Sequence, residues 1–258
     1  MRMTIPVGAD SLWAEDSGGD GEPVVLLHPG IGDLRSWEAV WPALTETCRV
    51  VRYDFRGYGG SPAPTEPYDW ADDLLAVLDA LGIASAHLVG NSQGGATAVE
   101  VALRRPDAVR SLVLLAPSAG GWQPSAAEEV EARWEAAEEA YAAGDEEPLV
   151  AFMLELWCAA GHEPLVRDLV RTSLRAEAAE AVHLRRLPSA LDRFGEIAVP
   201  TTLLLGERDF PSLVTLNEEM AAGIPGCRLV RLAGVDHLPQ LRVPELVVET
   251  VRAHCAQR

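Results

Sequence analysis

Leu88-Val89-Gly90-Asn91-Ser92-Gln93-Gly94-Gly95 is an apolar run that breaks at a glycine, carries one serine and passes, after two more glycines, into the small-residue helical stretch Ala96 to Leu103. A strand that feeds directly into a helix leaves a sharp turn between them. Glycines two residues either side of Ser92 let neighbouring backbone pass where a Cβ would clash. Such a turn strains the serine and pushes its hydroxyl clear of the sheet. The spacing Gly-x-Ser-x-Gly alone arises often by chance; the strand before it and the helix after it make Ser92 a candidate nucleophile.

Outward from this turn, Val24-Val25-Leu26-Leu27, Leu112-Val113-Leu114-Leu115 and Leu203-Leu204-Leu205 are further unbroken apolar runs. Strands covered by helices on both faces lose the polar alternation of a half-exposed sheet, so these runs predict a central parallel sheet. Helical stretches separate them: Asp69 to Leu81 places Leu74, Leu75, Leu78 and Leu81 on one face. This alternation implies a doubly wound α/β fold. The chain opens with two short strands, around Met3 to Val7 and Ser11 to Glu15, and a Gly/Asp-rich turn from Asp16 to Gly21. Between Gly120 and about Pro188 the pattern turns Ala/Glu-rich and helical, which marks a candidate lid. Its acidic runs, Glu128 to Glu131, Glu138-Glu139 and Asp145 to Glu147, are expected to be solvated helix faces. Its Trp122, Trp134, Phe152, Met153 and Trp157 are candidates for packing or for a pocket wall.

The 258 residues suit one core with an inserted segment, and 48% hydrophobic with 23% charged residues is ordinary for a folded chain. No apolar run approaches the roughly 20 residues of a membrane helix, and Met1 to Asp10 lacks an apolar signal core. The expected location is therefore the cytoplasm, with no membrane partner. A formal charge of −18 repels phosphate backbones, so nucleic acid is not an expected partner. Cys48, Cys158, Cys227 and Cys255 form no C-x-x-C pair, which argues against structural zinc and a redox dithiol. No lysine is present, which excludes Schiff-base chemistry of the lysine type.

A serine hydroxyl needs a base with a pKa close to the working pH, which means histidine. Of six histidines, His237 sits in Gly234-Val235-Asp236-His237-Leu238-Pro239, directly after the strand candidate Arg228 to Leu232, at the sheet end where active-site loops gather. His87 begins a strand, His162 and His183 fall in the lid, and His254 lies near the terminus. The imidazole needs an acceptor from another strand end. Asp209, after Leu203-Leu204-Leu205, fits that place; Glu207 and Asp236 are rivals, while Ala116-Pro117-Ser118 offers no carboxylate. Two backbone N–H groups should face the oxygen on which charge develops: that of Gln93 and that of Gly30, with Ile31 as its alternate, in the loop His28-Pro29-Gly30-Ile31-Gly32. His28 reads as a hydrogen-bonding brace for that loop.

Taken together these residues resemble the α/β-hydrolase superfamily, in the branch of small lid-bearing esterases, lactonases and carbon–carbon bond hydrolases. The resemblance spans nearly the whole chain. It rests on His28-Pro29-Gly30 with Trp37 downstream, Asp54-Phe55-Arg56-Gly57-Tyr58-Gly59-Gly60-Ser61, the Ser92 turn, Gly206 to Asp209, and Asp236-His237-Leu238-Pro239 before a closing helix. It implies a mostly parallel sheet with a helical lid inserted after the sixth strand: core residues 1–120 and 189–258, lid residues 121–188. It also implies Ser92, Asp209 and His237 as a triad, amides of Gly30 and Gln93 as an oxyanion hole, and no cofactor or metal. Ile31, Trp122, Trp157 and Leu238 are the expected pocket residues. The family commonly has His-Gly where this chain has His28-Pro29, and methionine at Gln93. Serine at the turn argues against the branches with an aspartate nucleophile. The leading expectation is hydrolysis of a small ester or lactone through an acyl-enzyme. Hydrolytic carbon–carbon cleavage by the same triad, or ligand binding without catalysis, are the alternatives, and homo-oligomerisation is left open.

Overall fold

The computed structural model describes residues 1–256, the side chains of Glu177, Ala178 and Ala181 excepted, so the last two residues of the expected core segment lie outside the described residues. Among the described residues, β1 (Arg2–Val7), β2 (Asp10–Asp16), β3 (Glu22–Leu27), β4 (Cys48–Tyr53), β5 (Ala86–Asn91), β6 (Val109–Leu115), β7 (Thr201–Gly206) and β8 (Arg228–Leu232) form one sheet in the order β1-β2-β4-β3-β5-β6-β7-β8. The pairs β1/β2 and β2/β4 are antiparallel and the rest parallel. Register aligns Val25 with Val51 and Leu88, and Leu115 with Leu204. The helices are α1 (Trp41–Thr45), α2 (Trp70–Ala80), α3 (Gln93–Arg104), α4 (Glu128–Ala142), α5 (Glu147–Trp157), α6 (Pro164–His183), α7 (Pro211–Gly223), α8 (Pro239–Arg242) and α9 (Pro244–Cys255).

The apolar run of β3 divides between two cores because successive side chains alternate across the sheet. Val24 and Leu26 pack with Trp37, Leu44 and Val251, whereas Val25 and Leu27 join Leu74, Val77 and Val99 on the opposite face. Helices cover both faces, which is why no polar residue interrupts the strand. Asp69 caps α2 by accepting the N–H groups of Ala71 and Asp72 at 3.0 and 2.9 Å, a contribution of about 1 kcal/mol. Helix α3 begins at Gln93, three residues earlier than the small-residue run suggests, so the glycine pair lies inside its first turn.

The chain steps from β3 outward to β4 and then returns to place β5 on the other side of β3. Crevices at such switch points, beyond the carboxyl ends of the strands, are where open α/β sheets bind ligands. Here the loops leaving β3 and β5 carry His28-Pro29-Gly30 and Ser92. Helices α4, α5 and α6 all fall between β6 and β7. They differ in attachment. Helix α5 buries Leu149, Val150, Phe152, Met153, Leu154 and Trp157, while α4 buries only Ala137. At about 1.5–3 kcal/mol per fully buried large apolar side chain, α5 is the anchored member and α4 the lightly held one. No helix of the described residues is long and apolar enough to cross a membrane.

Candidate active site

Ser92 sits between β5 and α3 at φ 52° and ψ −115°, in the left-handed region that a residue with a Cβ rarely adopts. Its backbone is held on both sides: its N–H donates to the Leu115 carbonyl at 3.0 Å, and its own carbonyl accepts from Ser118 at 3.1 Å and Ala96 at 3.0 Å. A Cβ on Gly94 would stand 2.1 Å from the Leu27 carbonyl oxygen, and one on Gly90 would stand 2.3 Å from that of Gly94. These contacts are what the flanking glycines make possible.

His237 and Asp209 meet. His237 Nδ1 lies 2.8 Å from Asp209 Oδ2, and both side chains are buried. The other Asp209 oxygen accepts the Phe210 N–H at 2.7 Å, so the carboxylate is fixed from two directions. The imidazole packs against Trp157, ring centroids 4.8 Å apart, and the His237 N–H donates to the Trp157 carbonyl at 3.2 Å. The rival acids are engaged elsewhere. Asp236 is buried against Arg242 at 3.0 Å and accepts the N–H groups of Ala160 and Leu238, while Glu207 is exposed.

Two residues that the sequence did not single out tie the histidine loop to the serine turn. Asn91 donates to the carbonyls of His237 at 3.0 Å and Leu115 at 2.8 Å, and accepts from Gln240 at 3.0 Å. An amide next to the serine thus spans β6 and the His237 loop. Only its adjacency to Ser92 could have flagged it.

The loop after β3 is braced as expected. His28 Nε2 accepts the Phe55 N–H at 3.0 Å, so Nδ1 carries the proton and donates to the Pro29 carbonyl at 2.8 Å. Full burial pushes the His28 pKa down to about 4, which keeps the ring neutral. Gly30 faces the side chain of Gln93: a Cβ at position 30 would stand 2.7 Å from Gln93 Oε1. The Gln93 amide nitrogen reaches Glu180 of α6 at 3.3 Å.

Ser92, His237, Gly30 and Gln93 all border one cavity of about 390 Å³. Ile31, Trp122 and Trp157 line it, and so do Trp70 and Trp134, so four of the chain's seven tryptophans border this space. Leu238 does not. It is buried in the main core just before α8, packed among apolar side chains, with its backbone N–H donating to the Asp236 carboxylate at 3.1 Å. Glu138 and Arg186 are charged members of the lining. Among the described residues, no group of three or more His, Cys, Asp or Glu side chains is placed to hold a metal ion.

The arrangement can support nucleophilic attack by a hydroxyl with proton transfer to an oriented imidazole. A family model described as alpha/beta hydrolase fold matches residues 22–242. Over 104 residues, 38% of this chain, the sequence is 41% identical to the 2-hydroxymuconate semialdehyde hydrolase of Pseudomonas sp. (strain CF600), covering 37% of that protein. The chain spans less than half the length of the first curated relatives it matches, between 30% and 46%. A longer alignment, 26% identical over 249 residues, covers 93% of this chain and 91% of the 3-oxoadipate enol-lactonase 1 of Acinetobacter baylyi. The solved enol-lactonase from Burkholderia xenovorans LB400 superposes with a TM-score of 0.79 at 26% identity, over 99% of this chain and 100% of that one.

Proposed function

This chain belongs to the alpha/beta hydrolase family, and on that footing we propose that it is a serine hydrolase of small esters or lactones. The observation that carries the reading is the 2.8 Å contact between His237 Nδ1 and Asp209, on the same cavity as Ser92. With Nδ1–H donated to the carboxylate, Nε2 is the basic nitrogen. Ser92 Oγ attacks the carbonyl carbon as its proton passes to His237 Nε2. The tetrahedral oxyanion is held by the N–H groups of Gly30 and Gln93. Collapse expels the alcohol oxygen, which takes the proton from His237, or in a lactone opens the ring and keeps both halves on one product. Water, deprotonated by His237, then frees the acyl group and restores Ser92.

The enol-lactonase relatives support a lactone or ester as substrate. We assign residues 1–120 and 189–258 to the catalytic core and 121–188 to a lid, supported by the light attachment of α4 over the cavity. Four unpaired cysteines favour a reducing compartment such as the cytoplasm, and the charge of −18 favours a small molecule over nucleic acid. The test is Ser92→Ala with a panel of 4-nitrophenyl esters and lactones of varied chain length. Turnover drops by about 10⁴-fold or more if the three residues act as a unit. A serine-directed phosphonate adds its mass at Ser92 and nowhere else. Undiminished hydrolysis by a folded Ser92→Ala protein refutes the assignment.

A further inference from the structure

Glu180 is a carboxylate from α6 buried among core side chains, with 9% of its surface exposed. Oε1 accepts both the indole N–H of Trp70, at 3.1 Å, and the amide N–H of Gln93, at 3.3 Å. Oε2 accepts the Tyr58 hydroxyl at 3.2 Å. Those three donors come from three parts of the core: the loop after β4, the start of α2 and the start of α3. Trp70 and Gln93 line the cavity, whereas Glu180 stands behind them. Tyr58 packs on His28, the brace of the Gly30 loop, with ring centroids 5.1 Å apart.

An acceptor with no place on the cavity wall therefore determines how two wall side chains stand. Without it, the Trp70 N–H and the Gln93 amide would each need another partner, and finding one means rotating the side chain. Rotation of Gln93 also changes what lies over Gly30, because its Oε1 stands 2.7 Å from where a Cβ on that residue would be. Trp122, Trp134 and Trp157 line the same cavity as the Trp70 so held, and a lining with four indoles suits a flat apolar acyl group on the substrate better than a short acyl chain.

We propose that Glu180 is a positioning residue that fixes Trp70 and Gln93 and so sets a preference for substrates bearing a flat apolar acyl group. The proposal rests on the hydrolase reading given above. It is tested with 4-nitrophenyl phenylacetate and 4-nitrophenyl acetate, comparing the ratio of their kcat/KM values. Glu180→Ala lowers that ratio about tenfold, a size typical of losing part of an apolar pocket's fit. Glu180→Gln keeps an oxygen able to accept from both donors and recovers most of the ratio. Trp70→Phe keeps a ring but deletes the N–H; it lowers the ratio in the same direction, and its effect does not multiply with that of Glu180→Ala, as expected for two ends of one contact. A merely structural role predicts a lower melting temperature and an equal loss on both esters, and an unchanged ratio in Glu180→Ala overturns the proposal. Should Glu180→Ala fail to fold, an unchanged ratio in Trp70→Phe overturns it equally. Residual turnover in Ser92→Ala tests the hydrolase reading separately, since a ratio measured with Ser92 intact does not depend on which residue attacks.

Discussion

Asparagine at position 209 should disable the site through the proton it forces onto the wrong nitrogen. The side-chain amide has one acceptor and one donor where the carboxylate has two acceptors. Phe210 N–H, donating at 2.7 Å to Oδ1, claims the amide oxygen, which leaves the NH2 group facing His237 Nδ1. That nitrogen must then be bare, so the ring proton moves to Nε2, the atom that accepts from Ser92 in the proposed mechanism. Turning the amide over restores the tautomer but leaves the Phe210 N–H against an NH2 group, a buried loss of about 1–3 kcal/mol. Neither arrangement works. Losing a correctly oriented base costs about 10⁴-fold in turnover, equivalent to about 5.5 kcal/mol of transition-state stabilisation. The assay is kcat for 4-nitrophenyl acetate on Asp209→Asn, with a thermal melt in parallel. A loss below tenfold in a protein that melts like the parent refutes the assignment of Asp209, whatever the distance to His237.

Three further outcomes follow from the geometry. Arg242→Met removes the cation beside Asp236, whose side chain is wholly buried, and should lower the unfolding free energy in urea by about 3–5 kcal/mol; a change under about 1 kcal/mol means that the N–H groups of Ala160 and Leu238 suffice for the carboxylate. Gly94→Ala puts a Cβ 2.1 Å from the Leu27 carbonyl oxygen, a clash with backbone that side-chain rotation cannot relieve, so stability should fall by about 3 kcal/mol or more; ordinary stability with full turnover contradicts the packing described for the turn. Burial pushes the Asp54 carboxyl from 3.8 up to about 7, against the N–H groups of Gly60 and Leu34, so between those values the folded chain keeps a proton that the unfolded chain has released. Stability from this group is present below the lower value and is lost as pH rises through about 7. Relative to Asp54→Asn, the parent should gain up to about 4 kcal/mol in urea unfolding between pH 8 and pH 4, and a pH-independent difference contradicts the shift.

Most of the sheet was legible because its strands are covered on both faces and read as uninterrupted Val and Leu. Strand β4 was not, since Arg49 and Arg52 break its apolar run. Arg52 is nonetheless buried, paired with Glu15 at 2.6 Å and stacked over Trp41, partners that exist only after folding. The same division applies at the site. Ser92, Asp209 and His237 each occupy a loop at a strand end, a position that the order of strands and helices gives away. Asn91, Gln240 and Glu180 bind through contacts that span 24 to 149 residues of chain, and no local pattern announces them. Leu238 was misjudged for a related reason: adjacency in sequence to His237 says nothing about which way a side chain points. Trp70 was hidden inside a helix whose apolar face looked like ordinary core.

The left-handed backbone at Ser92 puts two demands on one position in opposition. Glycine adopts that conformation with no Cβ penalty, so a chain carrying it there is relieved of strain on the order of 1–2 kcal/mol while losing the only hydroxyl the turn presents. If Ser92 attacks as proposed, variants sorted for heat tolerance alone would drift toward that chemically silent form. Any programme to harden this protein therefore has to screen for turnover in the same round as for endurance.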